Sequence, residues 1–489
     1  MLHQTRSLLA GLLLSLVLVG CSSAGLGRSK SLDPIDYVDP YMGNISHLLV
    51  PTSPTVHLPN GMMRVHPQRT DYASEQIAGL PVILTSHRGV SAFAISPLSA
   101  LSDSLPEVSR YSYDSESVRP YLYEVTLLEP EVRVRYAPSY RSAIYQFNFE
   151  RAKAGHHLVF STPDGELVAS GKNLFGYQQL EDSTRVYLYA ELDAEPTERL
   201  VRDTLTGRLA TVDGVARGNT LCLSFAKQGV TLRYGVSYIS VEQAKRNVER
   251  EIQSFEVNLV AKYGRNEWSK ALDKVEIEGG TPEERRVFYT SLYRTYERMI
   301  CLSEDGRYWS GFDKKVHDEE GVPFYTDDWL WDTYRATHPL RILLDPVKEQ
   351  QMLTSYLRMA EQSPEGWLPT FPEVTGDTHR MNGSHTIATF ADAYAKGLSG
   401  FNLSAAYQAA KKTMAEKSYL PWTRRPKGVL SEFMDKEGYF PGLDIGEKET
   451  VPEVTLWEKR QSVAVSLAAA YDYWCLSQLA KFSGHDVES

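Results

Sequence analysis

The stretch Tyr325-Thr326-Asp327-Asp328-Trp329-Leu330-Trp331-Asp332-Thr333-Tyr334-Arg335 brings together three carboxylates, two indoles and a guanidinium. A sugar ring is bound by parts of this kind. Flat apolar surfaces meet its C–H faces, and charged acceptors and donors bond strongly to its hydroxyls. Asp332 and Arg335 are three residues apart, so on a helix they share a face. Capping and core packing account for part of the same string: an aspartate at a helix start explains Asp327 or Asp328, and tryptophan is at home in a core. Capping does not account for Asp332.

A second cluster runs from Gly366-Trp367-Leu368-Pro369 through Glu373 to Asn382-Gly383-Ser384-His385, where a helical pattern begins. A neutral histidine there donates one hydrogen bond and accepts another; the competing reading is a structural histidine that satisfies a cap. Glu447, Glu449, Glu453 and Glu458 precede the last helical pattern, which contains Tyr471-Asp472-Tyr473-Trp474-Cys475. Glycoside hydrolysis commonly uses one carboxylic acid of raised pKa and one carboxylate acting as base or nucleophile. These glutamates are candidates, with Glu447 and Glu449 reading as solvated loop residues. The sequence holds no GxSxG elbow, P-loop, dinucleotide fingerprint or HExxH string, which sets aside the corresponding hydrolase, kinase-like and metalloprotease chemistries.

The elements that must position these residues fall into two regimes. From about Asp33 to Ser240 the period is two: Val132, Val134 and Tyr136 alternate with Arg133 and Arg135, and Arg185–Leu192, Thr220–Phe225 and Val230–Ile239 are further strands. Many short strands between Gly, Pro, Asp and Asn turns predict an antiparallel β-sandwich over 33–240. Connector helices are expected over 241–280, at Val241–Phe255 and Val257–Val275, the second broken near Gly264. Thr281-Pro282-Glu283-Glu284 is a capping-box start. Helices follow at about Asp328–Leu344, Pro346–Gln362, Ser384–Lys396, Leu403–Lys417 and Glu458–Lys481. Helices alternating with long Trp-, Gly- and Pro-rich loops over 281–489 are the pattern of a helical toroid with its site in the loops at one end. The fold class is therefore α+β and multidomain, an antiparallel β-sandwich followed by a helical toroid.

Composition agrees. The 489 residues suffice for about two to three domains, and a charged fraction of 23% excludes wholesale disorder. A net charge of -10 argues against a nucleic-acid backbone binder. The 29 Tyr and 8 Trp fill cores and line carbohydrate clefts. Cys21, Cys222, Cys301 and Cys475 are too scattered for a zinc knuckle or a CxxC pair.

The first 21 residues read as an address. Arg6 precedes an apolar run from Leu8 to Val19 that is short for a bilayer span and right for a signal-peptide core. It ends Leu18-Val19-Gly20-Cys21, which resembles the lipobox of bacterial lipoproteins, with Cys21 carrying the lipid. The alternative is a buried N-terminal helix. Residues 22–32 then form a polar tether, and the protein is expected to be an exported bacterial lipoprotein held by lipid, in the periplasm or at the outer membrane or cell surface.

Taken in order, Phe288-Tyr289-Thr290-Ser291-Leu292-Tyr293, Asp305-Gly306-Arg307-Tyr308, Lys315-Val316-His317, Leu330-Trp331-Asp332-Thr333-Tyr334-Arg335, Gly366-Trp367-Leu368-Pro369, Gly383-Ser384-His385 and Asp392-Ala393-Tyr394-Ala395-Lys396-Gly397 resemble glycoside hydrolase family 92. Leu58-Pro59-Asn60-Gly61-Met62 matches an early turn of that family, whereas Ser86-His87-Arg88-Gly89 departs from its usual His-rich string. The resemblance implies exo-acting, inverting, calcium-dependent α-mannosidases acting on mannose-containing glycans, through α-1,2 or related linkages. It implies substrate-binding roles for Trp331, Asp332, Arg335, Trp367 and His385. The family helix matching Tyr471–Cys475 begins Leu-Glu, the Glu being the general acid; here Leu467-Ala468 stands instead, and Glu458, or Glu453, is the candidate substitute. The resemblance also implies a β-sandwich, connecting helices and an (α/α)6 toroid; a full toroid needs twelve helices and about six follow Thr281, so the fold expected is a β-sandwich followed by a partial (α/α)6 toroid. The expectation is thus a C-terminally truncated member, with most calcium ligands and the catalytic base beyond residue 489, metal ligands within the chain unknown, and inner-ring helices exposing apolar surface. The implied function is an α-mannosidase-like glycosidase, inactive unless the rest is supplied; the alternative is a non-catalytic, surface-anchored glycan-binding lipoprotein.

Overall fold

The computed structural model describes residues 32–45, 52–69, 74–86, 90–102, 105–149 and 155–485. Cys21, the signal segment and His87, Arg88 and Gly89 lie outside them. In the first half, alternation does what period-two patterning requires: Val132–Pro138 buries Val132, Val134 and Tyr136 and turns Arg133 and Arg135 outward. Such strands assemble into two antiparallel sheets. The larger runs Ala216–Gly218, Gly165–Ser170, Asn173–Gln179, Arg185–Leu192, Gly229–Ser237, Ser142–Phe149, Val132–Pro138, Leu122–Leu127, Arg110–Arg119 and Gln76–Ala78. The smaller runs Leu209–Thr211, Glu198–Arg202, Thr220–Phe225, His156–Ser161, Ser91–Leu98 and Leu80–Leu84.

Their inner faces share one apolar core. Tyrosines cross it: Tyr145 donates to the Pro81 carbonyl at 2.8 Å, Tyr234 to Val82 at 2.7 Å and Tyr111 to Pro97 at 3.0 Å. A buried phenol must find an acceptor, and the edge strand Leu80–Leu84 supplies two of them. Burial holds all three hydroxyls well above the ordinary tyrosine range.

Helices α1 (Val241–Glu251) and α2 (Val257–Leu272) pack on the larger sheet. Glycines set how closely. A Cβ on Gly235 would stand 2.2 Å from the Ala244 carbonyl oxygen, and one on Gly264 2.9 Å from Tyr121. The expected break near Gly264 does not occur; the residue stays helical and its missing side chain admits the sandwich. Trp268 of the same helix donates its indole N–H to the His57 carbonyl at 2.7 Å.

Eight described helices follow Thr281: α3 (Pro282–Thr295), α4 (Leu330–Thr333), α5 (Thr337–Leu344), α6 (Pro346–Gln362), α7 (Thr386–Ala395), α8 (Leu403–Glu416), α9 (Val429–Glu437) and α10 (Ser462–Phe482). The capping box at Thr281 forms with both of its bonds. The expected helix Asp328–Leu344 starts only at Leu330, after Asp327 and Asp328 have turned into the interior, and divides into α4 and α5 where the backbone leaves the helical region at Ala336, φ -138°. Unforeseen α9 lies between Gly428 and Gly438, the latter at φ 80°. The last helix begins at Ser462, not Glu458, after Gln461 in the left-handed region. It packs on α7 and α8 and leaves an apolar stripe open, with Val463 75%, Leu467 68% and Trp474 58% exposed.

Asn60 joins the halves. Its N–H donates to Tyr296 O, its carbonyl accepts from Cys301 N–H, its side-chain amide donates to Met299 O and accepts from Lys348 Nζ. Nearby, Glu304 is fully buried between Tyr238, whose N–H donates to it at 3.0 Å, and Asn247, whose amide donates at 2.7 Å. Burial outweighs those donors and pushes its carboxyl up to about 7. A carboxyl raised by folding stabilises while protonated, so this contribution is full below about pH 4.5 and lost as pH climbs through about 7. Glu304→Gln mimics the protonated form. Its stability should fall less than the parent's between about pH 5 and pH 8, by roughly 2–3 kcal/mol; parallel denaturation curves at the two pH values would refute this.

Candidate active site

Two adjacent carboxylates, Asp327 and Asp328, are buried at the end of the short ribbon strand Tyr325–Thr326. Neither caps a helix. Asp327, in the left-handed region at φ 65°, meets Arg64 of the sandwich and Arg298, the latter at 2.6 Å. Asp328 turns the other way: it accepts from His338 Nε2 at 2.8 Å and Tyr356 Oη at 2.5 Å. His338 Nδ1 in turn bonds Glu349 at 2.7 Å. Burial would push His338 down, but the Glu349 and Asp328 charges prevail and raise it to about 9. Arg341 closes the group on Glu349 and on the Arg298 carbonyl.

This network fixes the start of α4, and with it the candidate site. Arg298 lies 4.1 Å over the Trp329 ring, and Asp332 N–H bonds the Trp329 carbonyl at 2.7 Å. Trp331 is half-buried and donates Nε1–H to Asn382 Oδ1 at 3.0 Å. The guanidinium of Arg335 sits 5.4 Å from both the Trp331 and Tyr334 rings, so a charged fork and two aromatic planes form one surface. Tyr334 lies over His385 with centroids 4.2 Å apart, and Tyr471 and Trp474 extend the array from α10. Asp332 is solvent-open, and desolvation together with the Asp328 charge raises its carboxyl against the pull of Arg335.

The structure therefore gathers Trp331, Asp332, Arg335 and His385. Trp367 stands apart: it is buried, its indole N–H donates to Glu416 at 3.0 Å, and it lines a different pocket with Lys314 and Arg424. Glu458 is linked to the group indirectly. Asn382 donates to Gln461 at 3.3 Å, and Gln461 donates to Glu458 at 2.5 Å, a run of amides pointed at one carboxylate. Glu453 lines a separate cavity. Glu449, expected to be merely solvated, is gripped by both ends of the Arg460 fork, which holds it down to about 2. Ala468 lies one helical turn before Asp472 on α10, so a methyl occupies the place expected for a general acid.

Sequence reasoning missed Tyr334, Asp472 and the His338 network as parts of the site; the first two lie inside quoted motifs, whereas His338 carries no local signal. A narrow, open pocket adjoins the array, shared by Asn382, Ser384 and Asp472 with the buried Lys417. Cys222, Cys301 and Cys475 are free thiols. Among the described residues no three His, Cys, Asp or Glu side chains converge on a point that could hold a metal ion, so the calcium implied by the resemblance has no such ligand set there.

Residues 37–237 match the family model described as Glycosyl hydrolase family 92 N-terminal domain, and residues 243–489 match the Glycosyl hydrolase family 92 catalytic domain. Among solved structures, the family GH92 inverting mannosidase of Bacteroides thetaiotaomicron VPI-5482 superposes with a TM-score of 0.81 at 26% identity, over 94% of this chain and 64% of that one. A family GH92 alpha-mannosidase of Bacteroides thetaiotaomicron gives 0.79 at 23% identity, again over 94% and 64%, a likeness of fold. A curated relative, an uncharacterized secreted glycosidase of Arthroderma benhamiae, is 24% identical over 264 residues, 53% of this chain and 29% of the relative. The chain thus spans a little under two thirds of the solved relatives and under a third of the curated one.

The ion network generates a test. His338 raised by folding contributes stability that is full below about pH 6.5 and lost as pH rises through about 9. His338→Gln keeps a donor but removes the charge between two buried carboxylates, and should cost about 3–5 kcal/mol near pH 6 and much less near pH 10. Denaturant unfolding at both pH values reads this; an equal cost at each would exclude a charge role for His338.

Proposed function

The chain belongs to glycosyl hydrolase family 92, and on that premise we propose that its site is of the α-mannosidase type, receiving the terminal sugar of an α-mannoside in an α-1,2 or related linkage. The observation that carries this reading is the convergence of Trp331, Tyr334 and Arg335 with His385 beside an open, partly desolvated Asp332. Aromatic planes take the apolar face of a pyranose, and the carboxyl, guanidinium and imidazole take its hydroxyls. The names of the solved relatives, an inverting mannosidase and an alpha-mannosidase, support the sugar and the stereochemistry.

Inverting hydrolysis needs an acid at the leaving oxygen and a base that activates water on the opposite face. Glu458 is the proton donor this reading assigns, since the amides of Gln461 and Asn382 connect it to Trp331. The base is assigned to no residue of this chain. Ala468 favours a second reading, a surface glycan-binding lipoprotein that retains the sugar site without turnover. Either way the chain is divided into a sandwich over 33–240, a connector over 241–280 and a helical part over 281–489, and is exported and anchored through a lipid on Cys21. The secreted designation of the Arthroderma benhamiae relative supports export. No helix among the described residues is long and apolar enough to cross a membrane.

The purified chain should bind methyl α-mannoside by calorimetry, with Trp331→Ala at least about tenfold weaker, and should not turn over an aryl α-mannoside with calcium present. Turnover that disappears in Asp332→Ala and in Glu458→Gln would establish the enzyme and discard the binding-only reading. Absence of any mannoside binding would discard both.

A further inference from the structure

Resting on the mannoside-binding reading above, we propose that Asp472 is a positioning residue that fixes the tautomer of His385, so that its Nε2 is presented as an acceptor for a hydroxyl of the bound sugar. Asp472 lies on α10, 87 residues from His385, and is 1% exposed. Its Oδ1 accepts from His385 Nδ1 at 2.9 Å and its Oδ2 accepts from the Ser384 backbone N–H at 2.5 Å. Both oxygens are thereby committed. A carboxylate can only accept, so in the neutral ring the proton is drawn to Nδ1 and the lone pair stays on Nε2. No described residue takes up Nε2.

The ring is also fixed in place. Tyr334 covers one face at 4.2 Å, and Gly383, at φ 84°, underlies it closely enough that a Cβ there would stand 2.6 Å from Cε1 and 2.7 Å from Nε2. His385 occupies the N-cap position of α7, yet its side chain makes no capping bond. The capping explanation is thus removed, and what the residue retains is an oriented imidazole beside Tyr334, Arg335 and Trp331.

Asp472→Asn separates positioning from mere packing. The Ser384 N–H can only donate, so the single oxygen of Asn at this site goes to Ser384 and its NH2 faces His385. Nδ1 must then accept, and the proton moves to Nε2.

Selective ¹⁵N-histidine labelling of the whole chain, with His385→Gln to assign the resonance, reads the tautomer directly. The expected result is Nδ1–H in the parent, a shifted Nε2 resonance on saturation with methyl α-mannoside, and Nε2–H in Asp472→Asn. The variant should bind the sugar about fivefold more weakly, the worth of one hydrogen bond. An Nε2–H tautomer in the parent overturns the proposal without recourse to any variant, as does an unchanged tautomer in Asp472→Asn with the other histidine signals intact. A tautomer that inverts while methyl α-mannoside leaves Nε2 unmoved upholds the role of Asp472 and overturns the mannoside reading, so the two fail separately.

Discussion

Two neighbouring carboxylates that cannot reach water are the constraint around which this molecule is arranged. An isolated buried charge is so costly that each of Asp327 and Asp328 must be matched. Because adjacent side chains diverge, the partners come from opposite directions: Arg64 from the sandwich and Arg298 from the loop after α3 on one side, His338 and Tyr356 from the helical part on the other. One dipeptide thus ties the two halves to each other, and α4 with the candidate site begins where that tie ends. The left-handed backbone of Asp327 is sparsely populated for a non-glycine residue and costs on the order of 1 kcal/mol or more; two guanidiniums hold it.

How much of this could be read from the sequence depends on the range of the interaction. Arg185–Leu192, Thr220–Phe225 and Pro346–Gln362 appear where their periods place them, because alternation and helical spacing are local. The Thr281 capping box is equally local and forms as expected. Gly264 misled, since its reason is the side chain of Tyr121, far away in sequence. So did Asp327 and Asp328, which look like caps until Arg64, 263 residues from Asp327, is brought up against them. At the site, Trp331, Asp332, Arg335 and His385 were legible by type and motif, and they do converge. Trp367 shares the residue type but is occupied by Glu416 on α8, a partner 49 residues on.

The candidate site is built from three stretches that meet only in the fold: the start of α4, the loop into α7 and the middle of α10. Hydrogen bonds that leave little choice of donor and acceptor orient each. The Trp331 indole can only donate, so Asn382 turns its oxygen to it and its amide to Gln461, which repeats the step towards Glu458. The aromatic surface therefore has its plane set by polar groups at its edge, the arrangement expected where a ring must meet a ring. The polar order in the loop and the apolar order in the array are one structure.

The clamp at Asn60 has a bearing on chemical ageing. Asn60 is followed by Gly61, and an asparagine–glycine pair is the dipeptide in which a backbone nitrogen most readily attacks the preceding side-chain amide, expelling ammonia and leaving a succinimide. That attack needs a free Gly61 nitrogen and a mobile Asn60 carboxamide. Here the Gly61 N–H is bonded to Leu58 O at 2.9 Å, and both ends of the Asn60 amide are held, by Met299 O and Lys348 Nζ. The contact that joins the sandwich to the helical part thus also holds the Asn60 carboxamide still, while the local Gly61–Leu58 bond keeps the attacking nitrogen engaged, so the two requirements of deamidation are blocked from opposite sides of the seam.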